Sequence, residues 1–112
     1  MLATHLAHSG YNLCLIARNE ILLRKLSAKL SSEADRQVIP IVCDLADHKA
    51  VENLIPYVKS LIPSLETLIN NAAIHGPIGL VWETDWEEWN EALQVNLLAP
   101  ITLCRACIPL MK

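Results

Sequence analysis

The tetrapeptide Asn70-Asn71-Ala72-Ala73 places two amide side chains and two very small ones directly after a predicted strand. Small side chains let a main chain approach a bound molecule closely, and open α/β sheets bind ligands at the carboxyl ends of their strands. Asn is also common in ordinary turns. The motif therefore indicates either a ligand-binding loop or a simple strand-to-loop turn.

Two further pairs of side chains have spacings that occur in redox-active or metal-binding sites. Cys104 and Cys107 are spaced like a redox-active pair. They lie about twenty residues into a predicted helix, however, whereas reactive thiols lie at helix N-termini or beside positive charge. We interpret them as packing thiols.

His5 and His8 have helical spacing for two metal ligands, but catalytic zinc takes three protein ligands and no further pair is evident. No metal site is predicted.

Three tryptophans, Trp82, Trp86 and Trp89, recur at nearly helical spacing before the last predicted helix and within its first turns. Their neighbours along the chain are acidic, which argues against stacking on nucleic-acid bases. We interpret these indole rings as covering the core or contacting a partner.

The composition excludes several classes of protein. The 112 residues suit one small domain, and 53% hydrophobic with 19% charged residues is typical of a folded chain. Nine Lys and Arg against twelve Asp and Glu give a net charge of −3 without a basic block, so no nucleic-acid partner is expected. With only three glycines, neither a G-x-G-x-x-G nor a Walker-type phosphate loop can be written.

The chain shows no pattern of export or membrane insertion. No stretch reaches the roughly 18 uninterrupted apolar residues of a membrane span, and the first residues lack the features of a signal peptide. Four cysteines in such a chain are best interpreted as reduced thiols. We therefore expect a cytoplasmic protein without membrane contact.

Helical and strand patterns alternate along the chain. They predict a helix before Gly10, strands over 13–17, 38–43 and about 65–70, helices begun by Asn19 and Asp47, and a last helix begun by a capping box at Thr84–Glu87. This order at this spacing predicts right-handed βαβ units and a parallel sheet, the α/β class.

Individual residues refine this prediction. Pro40 cannot donate a ladder hydrogen bond, so its strand is expected at a sheet edge. Pro56, Pro100 and Pro109 fall within helical stretches and are expected to bend or interrupt them. The buried stripe expected for the helix begun by Asn19 is Ile21, Leu22, Leu26 and Leu30.

Four segments together resemble the short-chain dehydrogenase/reductase family, and they occur in the order and at the spacing of that family's motifs. Residues 6–18 resemble its first helix and second strand, 42–45 the end of its third strand, 70–73 its N-N-A-G signature, and 89–111 its helix with the active-site Asn. The resemblance covers nearly the whole chain. It implies an incomplete Rossmann-like doubly wound parallel sheet, with the family's second to fourth strands and flanking helices, and residues 1–112 as a partial NAD(P)-binding domain.

The resemblance implies a set of cofactor-binding residues. Arg18 would meet the adenosine 2′-phosphate, which favours NADP over NAD. Asp44 would accept a hydrogen bond from the adenine amino group, with Leu45 beside it. The residues that would present their main chain near the ribose are Asn71, Ala72 and Ala73. Ala73 stands where the signature has Gly. A solvated surface Arg and a turn Asp are the alternatives for Arg18 and Asp44.

The resemblance implies one catalytic residue, Asn96, whose carbonyl would hold a water of the family's proton relay. The alternative is an Asn in a helix interior without a catalytic role. The family's Tyr-x-x-x-Lys, in which the Lys lowers the pKa of the Tyr, has no counterpart, because neither Tyr11 nor Tyr57 is followed by Lys four residues later. We expect the Gly-rich loop before Met1 and the Ser, Tyr and Lys after Lys112. The chain would then be an internal fragment, inactive and marginally folded alone.

The implied activity is hydride transfer between NADP(H) and a small-molecule carbonyl or alcohol substrate. The family usually forms homodimers or homotetramers. The alternative is a non-catalytic, truncated Rossmann-like protein that acts, if at all, through a protein partner.

Overall fold

The computed structural model describes residues 1–111 and divides them into two units, one from Met1 to Asp44 and one that starts at Leu45. The first contains helix α1 (Leu2–His8), strand β1 (Leu13–Ala17), helix α2 (Glu20–Ala34) and strand β2 (Val38–Val42). The second contains helix α3 (His48–Leu61), a 3₁₀ turn (Val81–Glu83), helix α4 (Trp86–Leu93), a π-helical segment (Gln94–Leu98) and helix α5 (Ala99–Met111).

The first unit is a βαβ arrangement. Strands β1 and β2 pair in parallel, with Leu13 opposite Val38 at one end and Ala17 opposite Val42 at the other. Pro40 lies opposite Leu15, and among the described strands β2 pairs with β1 alone. The parallel sheet confirms the α/β prediction.

Helix α2 starts and ends through local interactions. The Asn19 Oδ1 accepts a hydrogen bond from the Leu22 N–H at 3.0 Å, as predicted for a helix cap. Asp35 ends the helix in the left-handed conformation. The buried stripe, however, is Leu23, Ser27 and Leu30, while Ile21 and Leu22 are 79% and 63% exposed, so the predicted stripe was wrong at its N-terminal end.

The core of the second unit lies between α3 and the helix that runs from Trp86 to Met111. Asp47 caps α3 through its Oδ1 and the Ala50 N–H, at 3.2 Å, and the helix continues unbroken through Pro56. The buried apolar residues of the unit come from one face of α3 (Val51, Leu54 and Val58) and from the helix Trp86–Met111 (Ala92, Val95, Ala99, Leu103 and Cys107). Burial of this apolar surface is the main stabilising contribution.

The predicted strand over 65–70 is absent, which corrects the expectation of three strands. A strand needs a neighbouring strand to bond its main chain, and no described residue pairs with this segment in that way. It contacts α5 instead: the Leu65 N–H donates to the Leu110 carbonyl at 3.3 Å, and the Asn70 Nδ2 donates to the Cys104 Sγ at 3.5 Å.

The predicted capping box is also wrong. The Thr84 hydroxyl donates to the Val81 carbonyl at 3.0 Å and accepts from the Trp89 Nε1 at 2.8 Å, so it is engaged in holding the 3₁₀ turn. The helix therefore begins one residue later, with Asp85 as its cap residue and without a side-chain capping bond.

Helices α4 and α5 join through the π segment into one helix of 26 residues, Trp86–Met111. Pro100 has no N–H to donate to the carbonyl of Asn96, and the helix widens by one π turn immediately before it, with the Ala99 N–H bonded to the Gln94 carbonyl. By length and composition this helix could also span a membrane, as core helices of other proteins could. The expectation of no membrane contact stays a prediction.

Candidate functional site

Two predicted cofactor-binding residues lie at the carboxyl end of the β1–β2 sheet. Arg18 follows β1 directly, and Asp44 lies two residues beyond the end of β2. Because the strands are parallel with Ala17 opposite Val42, both residues are at the same edge of the sheet. The Cys43 N–H extends the pairing by donating to the Ala17 carbonyl at 3.0 Å. Ligands of open α/β sheets bind at this edge.

The Arg18 side chain is exposed, and no hydrogen bond or ion pair joins its guanidinium to any other of residues 1–111. By contrast, Arg24 on α2 is paired with Glu20 at 3.0 Å. A guanidinium with its donors unused at a strand end can bind a phosphate in a bidentate manner. Arg18 thus has the chemistry that a 2′-phosphate contact needs.

In the second unit, Asn96 uses both ends of its side-chain amide on the main chain of Ile74. Its Nδ2 donates to the Ile74 carbonyl at 2.8 Å, and its Oδ1 accepts from the Ile74 N–H at 2.9 Å. This pair of bonds attaches the loop that carries the 70–73 motif to the π segment. These two bonds fix the orientation of the exposed side-chain amide.

The ribose-contact candidates Asn71, Ala72 and Ala73 are exposed and lie directly before Ile74, in an irregular segment. Ala73 is outside the left-handed region, because Asp35 is the one non-glycine residue with a positive φ in residues 1–111. The departure from the family's Gly therefore introduces no backbone strain. Small side chains and an exposed main chain suit close approach by a ligand.

Gln94 was not among the predicted site residues. Its side chain is buried, 7% exposed, and its Nε2 donates to the Leu45 carbonyl at 3.3 Å. Leu45 itself is half-buried. Regular helical spacing does not reveal this burial, because Gln94 is two residues from Ala92 and five from Ala99, whereas residues three or four apart share a helix face.

The structure therefore brings the sequence-predicted residues together in two groups. The first unit holds Arg18 and Asp44 at one edge of its sheet. In the second unit, Gln94 and Asn96 attach both Leu45 and the end of the 71–73 segment to the same π turn. Short π segments occur frequently at functional sites.

The cysteine pair does not have the chemistry of a redox centre. Cys104 is half-buried, Cys107 is buried, and both are free thiols. Burial, reinforced by the nearby Cys104, raises the pKa of Cys107 above its ordinary value of 9.0, although Lys59 acts in the opposite direction. A raised pKa disfavours the thiolate, the reactive form. This geometry supports the interpretation as packing thiols.

The two histidines of α1 and two of the three tryptophans are exposed. His5 and His8 are exposed on α1, and residues 1–111 contain no group of three or more side chains that could hold a metal ion. Trp89 is half-buried against the 3₁₀ turn, whereas Trp82 and Trp86 are 79% and 70% exposed. Of the three indole rings, the structure thus leaves these two open to solvent.

A sequence profile of the short chain dehydrogenase family matches residues 1–112. The chain belongs to the short-chain dehydrogenase family. The short chain dehydrogenase pigC of Monascus ruber is 34% identical over 85 residues, which are 76% of this chain and 28% of that protein. The short chain dehydrogenase/reductase dpmpG of Macrophomina phaseolina is 28% identical over 110 residues, 98% of this chain and 63% of that protein.

Solved structures of short-chain dehydrogenases share the fold. The alcohol dehydrogenase of the archaeon Thermococcus sibiricus, complexed with 5-hydroxy-NADP, superposes with a TM-score of 0.89 at 27% identity, over 98% of this chain and 46% of that one. A metagenomic short-chain oxidoreductase in complex with NADP gives a TM-score of 0.88 at 28% identity, over 98% and 49%. These neighbours confirm a partial Rossmann-like fold, and the chain spans less than two thirds of each relative named here.

Proposed function

We propose that this short-chain dehydrogenase chain contributes the adenosine side of the cofactor site, and one catalytic Asn, to an NADP(H)-dependent oxidoreductase that interconverts a carbonyl and an alcohol. The observation that carries the proposal is the exposed, unpaired Arg18 guanidinium at the carboxyl end of β1. Family membership and neighbours crystallised with NADP or its 5-hydroxy derivative support it.

The residues present fit the adenosine half of NADP. Arg18 would bind the 2′-phosphate, and Asp44 would accept from the adenine amino group, with Leu45 beside it. The exposed, small-residue segment 71–73 would present its main chain to the ribose. Bound NADPH supplies the hydride, and the protein's share of the work is to bind and orient it.

Asn96 is the residue to which we assign a role in proton transfer. Its side chain is held on Ile74 by the bonds of 2.8 and 2.9 Å, which fixes the position of its main chain. Pro100 lacks the N–H that an α-helix would supply to the Asn96 carbonyl. That carbonyl is therefore suited to accept a hydrogen bond from a water in a proton relay.

Residues 1–112 contain two tyrosines, neither with a Lys four residues later. We propose that the acid/base pair lies in another part of the whole protein and that these residues alone do not catalyse hydride transfer. We also propose that residues 1–112 belong to one NAD(P)-binding domain of a cytoplasmic enzyme that forms homodimers or homotetramers and acts on a small carbonyl or alcohol compound.

A charge reversal at Arg18 tests the cofactor assignment. In the protein as its gene encodes it, we expect Arg18→Glu to raise the Kd for NADPH by about 10- to 100-fold, because a charge-assisted contact is lost. The Kd for NADH, which has no 2′-phosphate, should change far less. Titration of the cofactor's fluorescence measures both constants.

Arg36→Glu is the matched control, because Arg36 is also exposed but precedes β2 and so lies at the amino end of the same sheet. It should leave both constants within about twofold, since an exposed charge beyond a Debye length is largely screened. Equal losses for NADPH and NADH, or no loss at Arg18, would contradict the proposal.

One observation favours the alternative of a non-catalytic protein that acts through a partner. Ile78, Trp82 and Trp86 are close in the sequence and are 92%, 79% and 70% exposed, so these large side chains are accessible to a partner. The same titration separates the two functions. A wild-type protein that binds neither NADPH nor NADH would favour the partner-binding alternative.

A further inference from the structure

Two amide side chains of the π segment form hydrogen bonds to two different stretches of the chain. Asn96 bonds the main chain of Ile74, and Gln94 bonds the carbonyl of Leu45, 49 residues earlier in the sequence. Leu45 and the residues just before Ile74 are the parts of the second unit that we assign to the cofactor. One turn of helix is therefore connected to both of them.

The Gln94 side chain is an unusual choice for core packing. It is 7% exposed, whereas the other buried residues of this helix, such as Ala92, Val95 and Ala99, are apolar. Burying an amide is unfavourable unless it is hydrogen-bonded, and an apolar side chain of similar size would pack there without that cost. The hydrogen bond to Leu45 compensates for the burial and restricts where the amide can be satisfied.

We propose that Gln94 is a positioning residue, which holds the main chain of Leu45 where the adenine end of NADP(H) binds. The π segment thereby sets both cofactor-facing stretches of the second unit together, Leu45 through Gln94 and Ile74 through Asn96. This inference rests on the proposed function, because it assumes that Leu45 lies beside the adenine.

The test uses the protein as its gene encodes it and a probe of the adenosine half alone, adenosine 2′,5′-bisphosphate. Gln94→Met preserves length and volume but removes the donor. We expect its Kd for this probe to rise by about three- to tenfold, the effect of one lost hydrogen bond. In turnover, the KM for NADPH should rise while kcat at saturating NADPH stays within twofold.

Gln37→Met is the matched control, because Gln37 is an exposed Gln just before β2 and makes no side-chain hydrogen bond within residues 1–111. It should bind the probe as the wild type does. A direct readout without cofactor is the ¹³C chemical shift of the Leu45 carbonyl, which should move upfield in Gln94→Met and remain in place in Gln37→Met.

The outcomes separate this inference from the proposed function. If the wild type binds the probe and Gln94→Met binds it equally well although the Leu45 carbonyl signal has moved, the positioning role is overturned and the cofactor assignment stands. If the wild type binds neither the probe nor NADPH, the proposed function fails and this inference fails with it.

A second variant covers the case in which Gln94→Met does not fold. Gln94→Asn retains the amide but shortens the side chain by one methylene, which withdraws the donor from Leu45. A folded Gln94→Asn protein with weakened binding of the probe supports the proposal. Failure of both variants to fold would assign Gln94 a purely structural role and overturn it.

Discussion

The Asn96 side chain attaches a loop to the π segment. Its amide bonds both main-chain groups of Ile74, at 2.8 and 2.9 Å, while the role that we propose for Asn96 in proton transfer belongs to its main-chain carbonyl. A helix-interior Asn is otherwise unfavourable, because its side chain competes for main-chain hydrogen bonds. Here the Asn96 side chain bonds the main chain of a loop at Ile74 rather than that of its own helix.

We expect Asn96→Ala to lower the free energy of unfolding by about 1–2 kcal/mol, because the Ile74 N–H and carbonyl both lose their partner while Asn96's exposed setting lets water replace part of the loss. Urea denaturation followed by circular dichroism measures the change. Asn90→Ala is the control, since Asn90 is exposed on α4; a loss of the same size there would show that the two bonds to Ile74 contribute nothing specific.

At the scale of elements, the helix starts differ in what their cap residues do. Asp47 accepts a hydrogen bond from the Ala50 N–H, whereas Asp85 makes no side-chain capping bond at the start of α4. Both are Asp, a residue preferred at this position. Before α4 the side-chain hydrogen bonds are those of Thr84 and Trp89 in and beside the 3₁₀ turn.

We therefore expect Asp47→Ala to destabilise the protein by about 1 kcal/mol, a typical value for a lost cap, and Asp85→Ala by less than about 0.5 kcal/mol. Urea midpoints at constant m-value give both numbers. Similar losses at the two positions would mean that the charge near the helix start, rather than the capping bond, is what stabilises.

Local chemistry made most elements predictable from the sequence. Asn19 and Asp47 began the helices that they were expected to begin, and the apolar runs at 13–17 and 38–43 became paired parallel strands. The failures depended on tertiary contacts. Whether residues 65–70 form a strand depends on a neighbour to bond them, and whether Ile21 is buried depends on what covers α2, neither of which periodicity records.

The candidate site divides in the same way. Arg18 and Asp44 were predictable because they follow strand ends, positions that parallel topology brings to one edge. Gln94 was not, because its significance lies in a hydrogen bond across 49 residues of sequence.

At the scale of the molecule, the buried thiol of Cys107 links stability to pH. Its raised pKa means that the folded state retains the proton above the ordinary value of 9.0, at which the unfolded chain releases it. This contribution is complete below pH 9.0 and is lost as the pH rises through the folded-state pKa. Stability should therefore fall in alkaline solution.

We expect iodoacetamide to label Cys107 about tenfold more slowly than Cys104 in the folded protein at pH 8, because the buried thiol must wait for an opening motion and is poorly ionised. Peptide mapping by mass spectrometry resolves the two sites. In urea the two rates should converge; a difference that persists there would trace the effect to local sequence rather than to burial.

The wide turn at Gln94–Leu98 also has an angular consequence. Ala92 and Cys107 are both buried and stand 15 positions apart, whereas four turns of a regular α-helix take about 14.4 residues. In an unbroken α-helix Cys107 would be rotated by about 60° from the direction of Ala92. A π turn takes up one residue more than an α turn, which changes this offset to about 40° in the opposite sense. The π turn therefore sets which face of α5 continues the buried face of α4, and its effect extends to Cys107, more than two turns away.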